Sequence, residues 1–173
     1  MKIYTDDPLV SYTTTTISAE RTMQEISMIL RQYDVVDIHW HYKPEGNDIF
    51  VQFGIEEMID GVAVKVAAKV VCPIIWEKAN FHKRDPSLRV EHVNFDVSMR
   101  AMYWYIKSHL ENAYAMQSSR VAAFLPDMVT PSGKRYFDEM KEHLDKYRPI
   151  EDKRENPREV EVIKRPMRDV TNE

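Results

Sequence analysis

The chain contains few of the residues that form cross-links or phosphate-binding loops. Cys72 is the single cysteine among 173 residues, so an intrachain disulfide is excluded and a reducing compartment is expected. Four glycines occur, and none belongs to a G-x-G-x-x-G or P-loop pattern. Nucleotide binding through a glycine-rich loop is therefore not indicated.

The chain also lacks an uninterrupted apolar run of about 18 residues, the length that indicates a membrane-spanning helix. Its first residues, MKIYTDDPLV, contain no apolar signal core. We therefore expect a cytoplasmic protein without membrane contact.

An excess of positive charge is missing as well. Lys and Arg total 24 against 28 Asp and Glu, which gives a net charge of −4. This balance disfavours a protein that coats nucleic acid by charge alone, although a local basic patch remains compatible with it. The chain does have 43% hydrophobic residues, enough for a folded core.

The N-terminal half predicts a strand, a helix and a β-meander. β-branched residues over 9–17 favour a strand, and apolar residues at three- and four-residue spacing favour a helix over 19–33, capped by Ser18. The meander is predicted as three antiparallel strands at 35–42, 48–56 and 62–72, with turns at 43–47 and Asp60-Gly61.

The C-terminal half predicts a long helix and a charged tail. Residues 73–96 have no clear period and are interpreted as a long connection. A long helix capped by Asp96 or Ser98 is expected to continue through Phe124 to Pro126 and to pack on the sheet. A short helix follows at 135–147. The fold class is thus α+β, with one domain over residues 1–147 and a disordered charged tail over 148–173.

A possible metal site lies on the first strand of the meander. Because side chains alternate along a strand, Asp37, His39 and His41 are expected on one side, with Ile38 and Trp40 on the other. Two histidines at this spacing and a carboxylate can bind a divalent metal. The competing interpretation is that these residues form the polar face of a half-buried sheet.

A possible nucleic-acid site lies around the long connection. Aromatic residues stack on unpaired bases while Lys and Arg neutralise phosphates. The residues of this type are Lys65, Lys69, Trp76, Lys78, Phe81, Lys83, Arg84 and Arg89. The alternative is an exposed loop whose aromatic residues anchor it to the sheet.

Adjacent aromatic residues on the long helix indicate a second surface. Tyr103 and Trp104 stand between other bulky residues, and such a run cannot all face one core because a helix turns about 100° per residue. They favour either a protein interface, for example in a homo-oligomer joined through this helix, or a helix packed on two sides within one domain.

Two groups of motifs resemble a known family. The threonines at 13–16 precede S-A-E-R-T at 18–22, and the long helix ends in F-L-P at 124–126, before the turn S-G-K at 132–134. This order resembles a family of small uncharacterised proteins of bacteriophages, prophages and archaeal mobile elements. The resemblance implies a mobile-element context, with the host cytoplasm as the expected location if the protein is viral, and supplies no catalytic residues.

The sequence as a whole favours a non-enzymatic accessory protein. Such a protein would act by binding nucleic acid or a nucleoprotein or defence complex. The alternatives are a small metal-dependent enzyme built on His39 and His41, and a structural or oligomeric interaction protein. No residue is assigned to catalysis, and no cofactor is expected besides the divalent metal of the first alternative.

Overall fold

A computed structural model describes residues 2–80 and 89–143. These residues form the α+β fold that the sequence predicts, with two three-stranded sheets and helices packed against them. The strands are β1 (Ile3–Tyr4), β2 (Val36–Lys43), β3 (Asp48–Ile59), β4 (Val62–Val71), β5 (Ile75–Asn80) and β6 (Arg89–Val93). The helices are α1 (Ala19–Gln32), α2 (Phe95–Ala115), α3 (Arg120–Ala123) and α4 (Tyr136–His143).

The predicted meander forms the first sheet, in the order β2–β3–β4. A 3-10 turn over Pro44–Gly46 joins its first two strands. Asp60 and Gly61 join the next two and take left-handed φ values of 49° and 79°. Left-handed φ at both central residues is typical of a type I′ hairpin turn, whose twist matches that of the flanking strands. Both turns therefore lie where the sequence predicts them.

The core lies on one face of this sheet. Ile49, Val51, Phe53 and Ile55 alternate along β3, and all four are almost completely buried. They form a single cluster with the inward-facing residues of α1 and α2. Phe53 contacts the ring of Phe124 edge to face, with the centroids 5.3 Å apart. Burial of this apolar surface is the main stabilising contribution to the fold.

The first sheet contains a β-bulge near the start of β2. The pairing of β2 with β3 shifts between Val36 and His39, and Asp37 takes a left-handed φ of 52°. Gly54 lies opposite Val36, and a Cβ atom added at Gly54 would approach a methyl carbon of Val36 to 3.0 Å. The bulge therefore requires a small residue at position 54.

The second sheet was not predicted. β5 and β6 form an antiparallel hairpin in which Trp76 pairs with Val93 and Lys78 with Glu91. β1 adds to β5 in parallel, with Tyr4 opposite Trp76. The interpretation of residues 73–96 as a long, partly ordered connection therefore missed two strands.

The strand predicted over residues 9–17 does not form. Local turns replace it: the Thr15 N–H donates to the Tyr12 carbonyl at 3.1 Å, and the Thr15 hydroxyl accepts from the Ile17 N–H at 3.3 Å. Threonine hydroxyls compete in this way with a strand ladder. The N-terminal strand of the fold is the two-residue β1 instead.

α1 and α2 are connected at their N-terminal ends. Ser18 caps α1, as predicted, and the N–H of Ala19 donates to the Asp96 carboxylate at 2.7 Å. α2 is capped by Asn94, so the prediction of Asp96 or Ser98 as its cap is wrong. The Asp96 carboxylate satisfies a donor of the neighbouring helix instead.

α2 is shorter than predicted. It ends at Ala115, and the Ser118 N–H donates back to the Ala113 carbonyl at 2.9 Å. Gln117 takes the left-handed φ of 50° between them. This is the Schellman arrangement, in which glycine is the usual residue. The helix predicted to run on to Phe124 is therefore broken into α2 and α3.

After α3 the chain follows the edge of the first sheet. Leu125–Asp127 forms a 3-10 turn, and the Val129 N–H donates to the Ala67 carbonyl of β4 at 2.8 Å. α4 lies within the short helix predicted over 135–147, and the predicted tail over 148–173 is outside the described residues. None of the helices described here combines the length and the apolarity that crossing a membrane requires.

Candidate functional site

The strand residues considered as metal ligands lie on the exposed face of the first sheet. Asp37 and His39 are exposed, whereas Ile38 and Trp40 pack against the core, as the alternation predicts. The Trp40 indole N–H also donates to the Ser27 hydroxyl on α1 at 2.9 Å. The polar and apolar sides of β2 are therefore the ones that the sequence predicts.

His41 packs on a neighbouring ring in this structure. It stacks on Phe50 with ring centroids 4.6 Å apart. Its Nε2 atom lies 2.9 Å from the Asp48 carboxylate, but the angle does not suit a hydrogen bond. Within residues 2–80 and 89–143, no three His, Cys, Asp or Glu side chains are grouped to hold one metal ion. The contacts of His41 thus favour a packing role.

Lys65 and Lys69 lie on the same exposed face. The Lys65 ammonium contacts the carboxylates of Glu56 at 2.7 Å and Asp37 at 3.3 Å, and these partners, Glu56 first, raise the pKa of Lys65. Lys69 lies over the Phe50 ring, with Nζ 3.9 Å from the centroid. Both lysines belong to a different sheet from the strand that carries the predicted Trp76 and Lys78.

Tyr103 and Trp104 on α2 are partly covered by the chain itself. Tyr12 stacks on Trp104 with centroids 5.3 Å apart and planes 12° from parallel. Tyr103 meets Trp104 edge to face, and the Arg100 guanidinium lies 4.3 Å from the Tyr103 centroid. α2 thus packs on more than one side within one chain, and an interface with a second copy stays a prediction.

The outer face of the second sheet brings aromatic and basic side chains together. Tyr4 on β1 lies beside Trp76 on β5, and both rings are half-buried. The Lys2 ammonium lies 4.1 Å from the Trp76 centroid, and the Lys78 ammonium lies 4.1 Å from the Tyr4 centroid. We call Lys2, Tyr4, Trp76, Lys78 and Glu91 the aromatic face.

The aromatic face meets two acids: Asp6 lies 3.7 Å from the Lys78 ammonium, and Glu91 belongs to the face itself. The Glu91 carboxylate accepts hydrogen bonds from the Lys2 ammonium at 2.7 Å and the Tyr4 hydroxyl at 2.9 Å. These bonds, that of Lys2 first, hold the pKa of Glu91 below its usual range, and they raise the pKa values of Lys2 and Tyr4. An anion between an ammonium and a hydroxyl is therefore already favoured at this position.

The aromatic face contains part of the predicted nucleic-acid set. Trp76 and Lys78 lie on it, whereas Phe81, Lys83 and Arg84 lie outside the described residues. Arg89 begins β6, and its side chain likewise lies outside the part of the chain that the structure describes.

Sequence reasoning missed three members of the aromatic face: Glu91 on β6, and Lys2 and Tyr4 at β1. A two-residue strand has no period that a local pattern could detect. The only available signal was the mixture of basic and aromatic side chains in K-I-Y at the start of the chain.

Cys72 has the surroundings of a structural thiol. It is buried beside Met99, with 3.6 Å between the two sulfur atoms. Burial raises the pKa of the Cys72 thiol to about 12. Because the thiolate is the nucleophilic form, this side chain is unreactive near neutral pH.

No family model, curated protein or solved structure matches the chain. The resemblance to the phage and mobile-element family therefore stays a prediction. A fold class alone does not identify a function, because function depends on the chemistry of particular sites. The aromatic face provides the strongest physical basis for one.

Proposed function

We propose that the protein is a non-enzymatic binding protein whose aromatic face binds single-stranded nucleic acid. The observation that carries the proposal is the pair of adjacent rings, Tyr4 and Trp76, each with a lysine ammonium 4.1 Å from its centroid. Unpaired bases stack on such rings irrespective of their identity, and ammonium groups neutralise the phosphates between them.

The lysines are compatible with base stacking. In the free protein, Lys2 and Lys78 lie over the rings that bases would contact. Each ammonium is carried by a flexible four-carbon side chain, so a base can displace it from the ring. The displaced ammonium remains within reach of the phosphate that follows the base.

The contacts of Glu91 support the proposal that this surface binds an anion. The Glu91 carboxylate already bridges Lys2 and Tyr4. A phosphate oxygen offers these donors the same charge and the same kind of acceptor. Glu91 therefore competes with the phosphate in the free protein, and it limits affinity while it keeps the donors in place.

The charge of the whole chain sets the expected character of the binding. With a net charge of −4, the protein has no general attraction for nucleic acid. Binding through a few local cations should be weak and should fall as salt rises. This behaviour suits an accessory protein that joins a nucleoprotein complex, and the phage and mobile-element resemblance implies a context in which such proteins act.

Fluorescence anisotropy with labelled single-stranded DNA and RNA of about 12 nucleotides tests the proposal. We expect binding at about 50 mM salt that weakens at about 200 mM. Trp76→Ala should weaken it by about fivefold or more, because a stacked base is lost. Glu91→Gln should strengthen it, because the competing carboxylate is removed.

Arg31→Ala is the matched control, since it removes an exposed cation from α1 and leaves the aromatic face intact. It should bind like the wild type. Circular dichroism should show that each variant is folded. No binding at low salt, or an affinity that Trp76→Ala leaves unchanged in a folded protein, would overturn the proposal.

A further inference from the structure

A groove between α2, the end of β4 and α4 has the shape of a small-molecule site. Its volume is about 430 Å³, within the range of ~300–1,000 Å³ typical of such sites. Pro73, Met102, Pro126 and Phe137 contribute apolar walls. Three polar side chains, Tyr105, Asp127 and Arg135, line it as well. We call it the α2–α4 groove.

Asp127 provides an acceptor in the α2–α4 groove. The residue is 5% exposed, and its Oδ2 atom accepts the Tyr105 hydroxyl at 2.6 Å. Its Oδ1 atom accepts no hydrogen bond from any residue in the described ranges; its nearest cation, Arg135 Nη1, is 3.6 Å away. Asp127 lines the groove, and its Oδ1 atom therefore provides an acceptor for a ligand N–H.

Arg135 provides a donor beside that acceptor. Its Nε and Nη2 atoms donate to Asp138 at 2.8 Å and 3.0 Å, which fixes the guanidinium plane. Nη1 donates to none of the residues that the structure describes, and it lies next to Asp127 Oδ1. The two groups form an ion pair that is too long for a hydrogen bond, so a donor and an acceptor stand side by side in the groove.

We propose that the α2–α4 groove binds a small planar ligand with a cyclic amide, the group that uracil- and guanine-type nucleobases present. Asp127 Oδ1 would accept the ring N–H, and Arg135 Nη1 would donate to the adjacent carbonyl oxygen. A cationic ligand is disfavoured because the Arg135 guanidinium would repel it, and an anionic ligand is disfavoured by the Asp127 carboxylate.

The walls of the groove suit a flat ring. Phe137 on α4 is 48% exposed although it lines the groove, so its ring is available for stacking on a heterocycle. Burial, followed by the hydrogen bond to Asp127, raises the pKa of Tyr105. Its hydroxyl therefore stays protonated and keeps Asp127 Oδ2 occupied, which leaves Oδ1 for the ligand.

Isothermal titration of the full chain with uridine and guanosine tests this inference. We expect dissociation constants below about 1 mM, the weak end of specific binding. Methylation of the ring N–H, as in 3-methyluridine and 1-methylguanosine, should weaken binding about tenfold or more, because the bond to a carboxylate is lost. The trinucleotide UpUpU, titrated in parallel into Trp76→Ala so that the aromatic face does not contribute, distinguishes a base on a strand from a free nucleoside by binding more tightly.

Phe137→Ala should weaken uridine binding by about fivefold, the effect of losing a stacked aromatic ring. Tyr136→Ala is the matched control, because Tyr136 is an exposed neighbour on α4 that does not line the groove, and it should have no effect. Uridine binding should persist in Trp76→Ala, which separates this inference from the role of the aromatic face. No binding of either nucleoside, or equal binding of the methylated forms, overturns it.

Discussion

Glu57 on β3 accepts three hydrogen bonds from the start of α3. The Ser119 hydroxyl donates at 2.6 Å, and the backbone N–H groups of Arg120 and Val121 donate at 3.3 Å. The Arg120 guanidinium lies 3.8 Å from the same carboxylate and also donates to the Tyr33 carbonyl at the end of α1. One carboxylate and one guanidinium thus connect β3, α3 and α1.

This arrangement predicts a pH dependence of stability. Burial alone would raise the pKa of Glu57, but the hydrogen bonds from Ser119 and from the two backbone N–H groups hold it below the ordinary value of 4.5. As the pH falls, the unfolded chain therefore binds the proton first. The contribution of Glu57 to stability is complete above the unfolded pKa and is lost as the pH falls through the lower folded pKa.

We expect Glu57→Gln to be less stable than the wild type at neutral pH by about 1–2 kcal/mol, since bonds to a charged acceptor are weakened. The difference should shrink as the pH falls from about 5 to about 3, because the wild type then loses the same charge. Urea denaturation across this range measures both quantities. A difference that stays constant with pH would contradict the argument.

At the scale of single residues, the sequence indicates which side chains are suited to binding better than it indicates where they lie in the fold. Trp76 and Lys78 were recognisable as a basic and aromatic pair, and they do lie on one face of β5. Asp127 and Arg135 were not recognisable as groove residues, because the turns that follow α2 and α3 bring them together. Such contacts depend on turns that have no strong sequence signal.

At the scale of elements, the β-bulge in β2 depends on Gly54. A Cβ atom at this position would lie 3.0 Å from a methyl carbon of Val36, which is tighter than ordinary van der Waals contact. Val36 is β-branched and cannot easily rotate away. The bulge and the small residue opposite it are therefore one structural feature.

Gly54→Ala should consequently destabilise the fold by about 1–2 kcal/mol, the usual cost of overpacking. Gly46→Ala is the matched control, because no atom lies within 4 Å of an added Cβ at Gly46. It should be neutral or stabilise the protein by up to about 1 kcal/mol, since the unfolded chain loses conformational freedom. Urea midpoints of the two variants provide the comparison, and equal effects would show that position 54 is not crowded.

The elements that the sequence predicts correctly have their caps, apolar periods and turn residues within one short segment. The missed elements lack such local signals. α1 has its cap and its apolar period within one segment, and the hairpin between β3 and β4 has Asp60-Gly61 at its turn. β1 is held by parallel pairing with β5, more than seventy positions further along the chain. The end of α2 was missed because Gln117 occupies a position that usually contains glycine.

At the scale of the whole molecule, α2 connects the two sheets. The N–H of Ile75 in β5 donates to the Ser98 hydroxyl at 3.0 Å, and the Ile75 carbonyl accepts from the Asn94 N–H at 2.9 Å. Further along α2, Met102 and Ile106 belong to the core under the first sheet. Neither sheet can keep its contacts when this helix unfolds.

The tryptophans allow the coupling of the two sheets to be measured. Trp40 lies in the first sheet and Trp76 in the second. Variants in which only one of these two tryptophans remains and the others are replaced by Phe give one fluorescent reporter for each sheet. Coincidence of their transitions is a standard test of two-state unfolding.

We expect both reporters to show one urea transition, and Ser98→Ala to shift the two transitions together. Ser98 is fully buried, so its loss leaves the Ile75 N–H without a partner and should cost about 1–3 kcal/mol. Ser108→Ala, at an exposed position of α2, should shift neither. If Ser98→Ala moved the Trp76 transition and left the Trp40 transition in place, the second sheet would be a separately unfolding unit. A common shift would instead mean that the aromatic face is as stable as the core on which α2 packs.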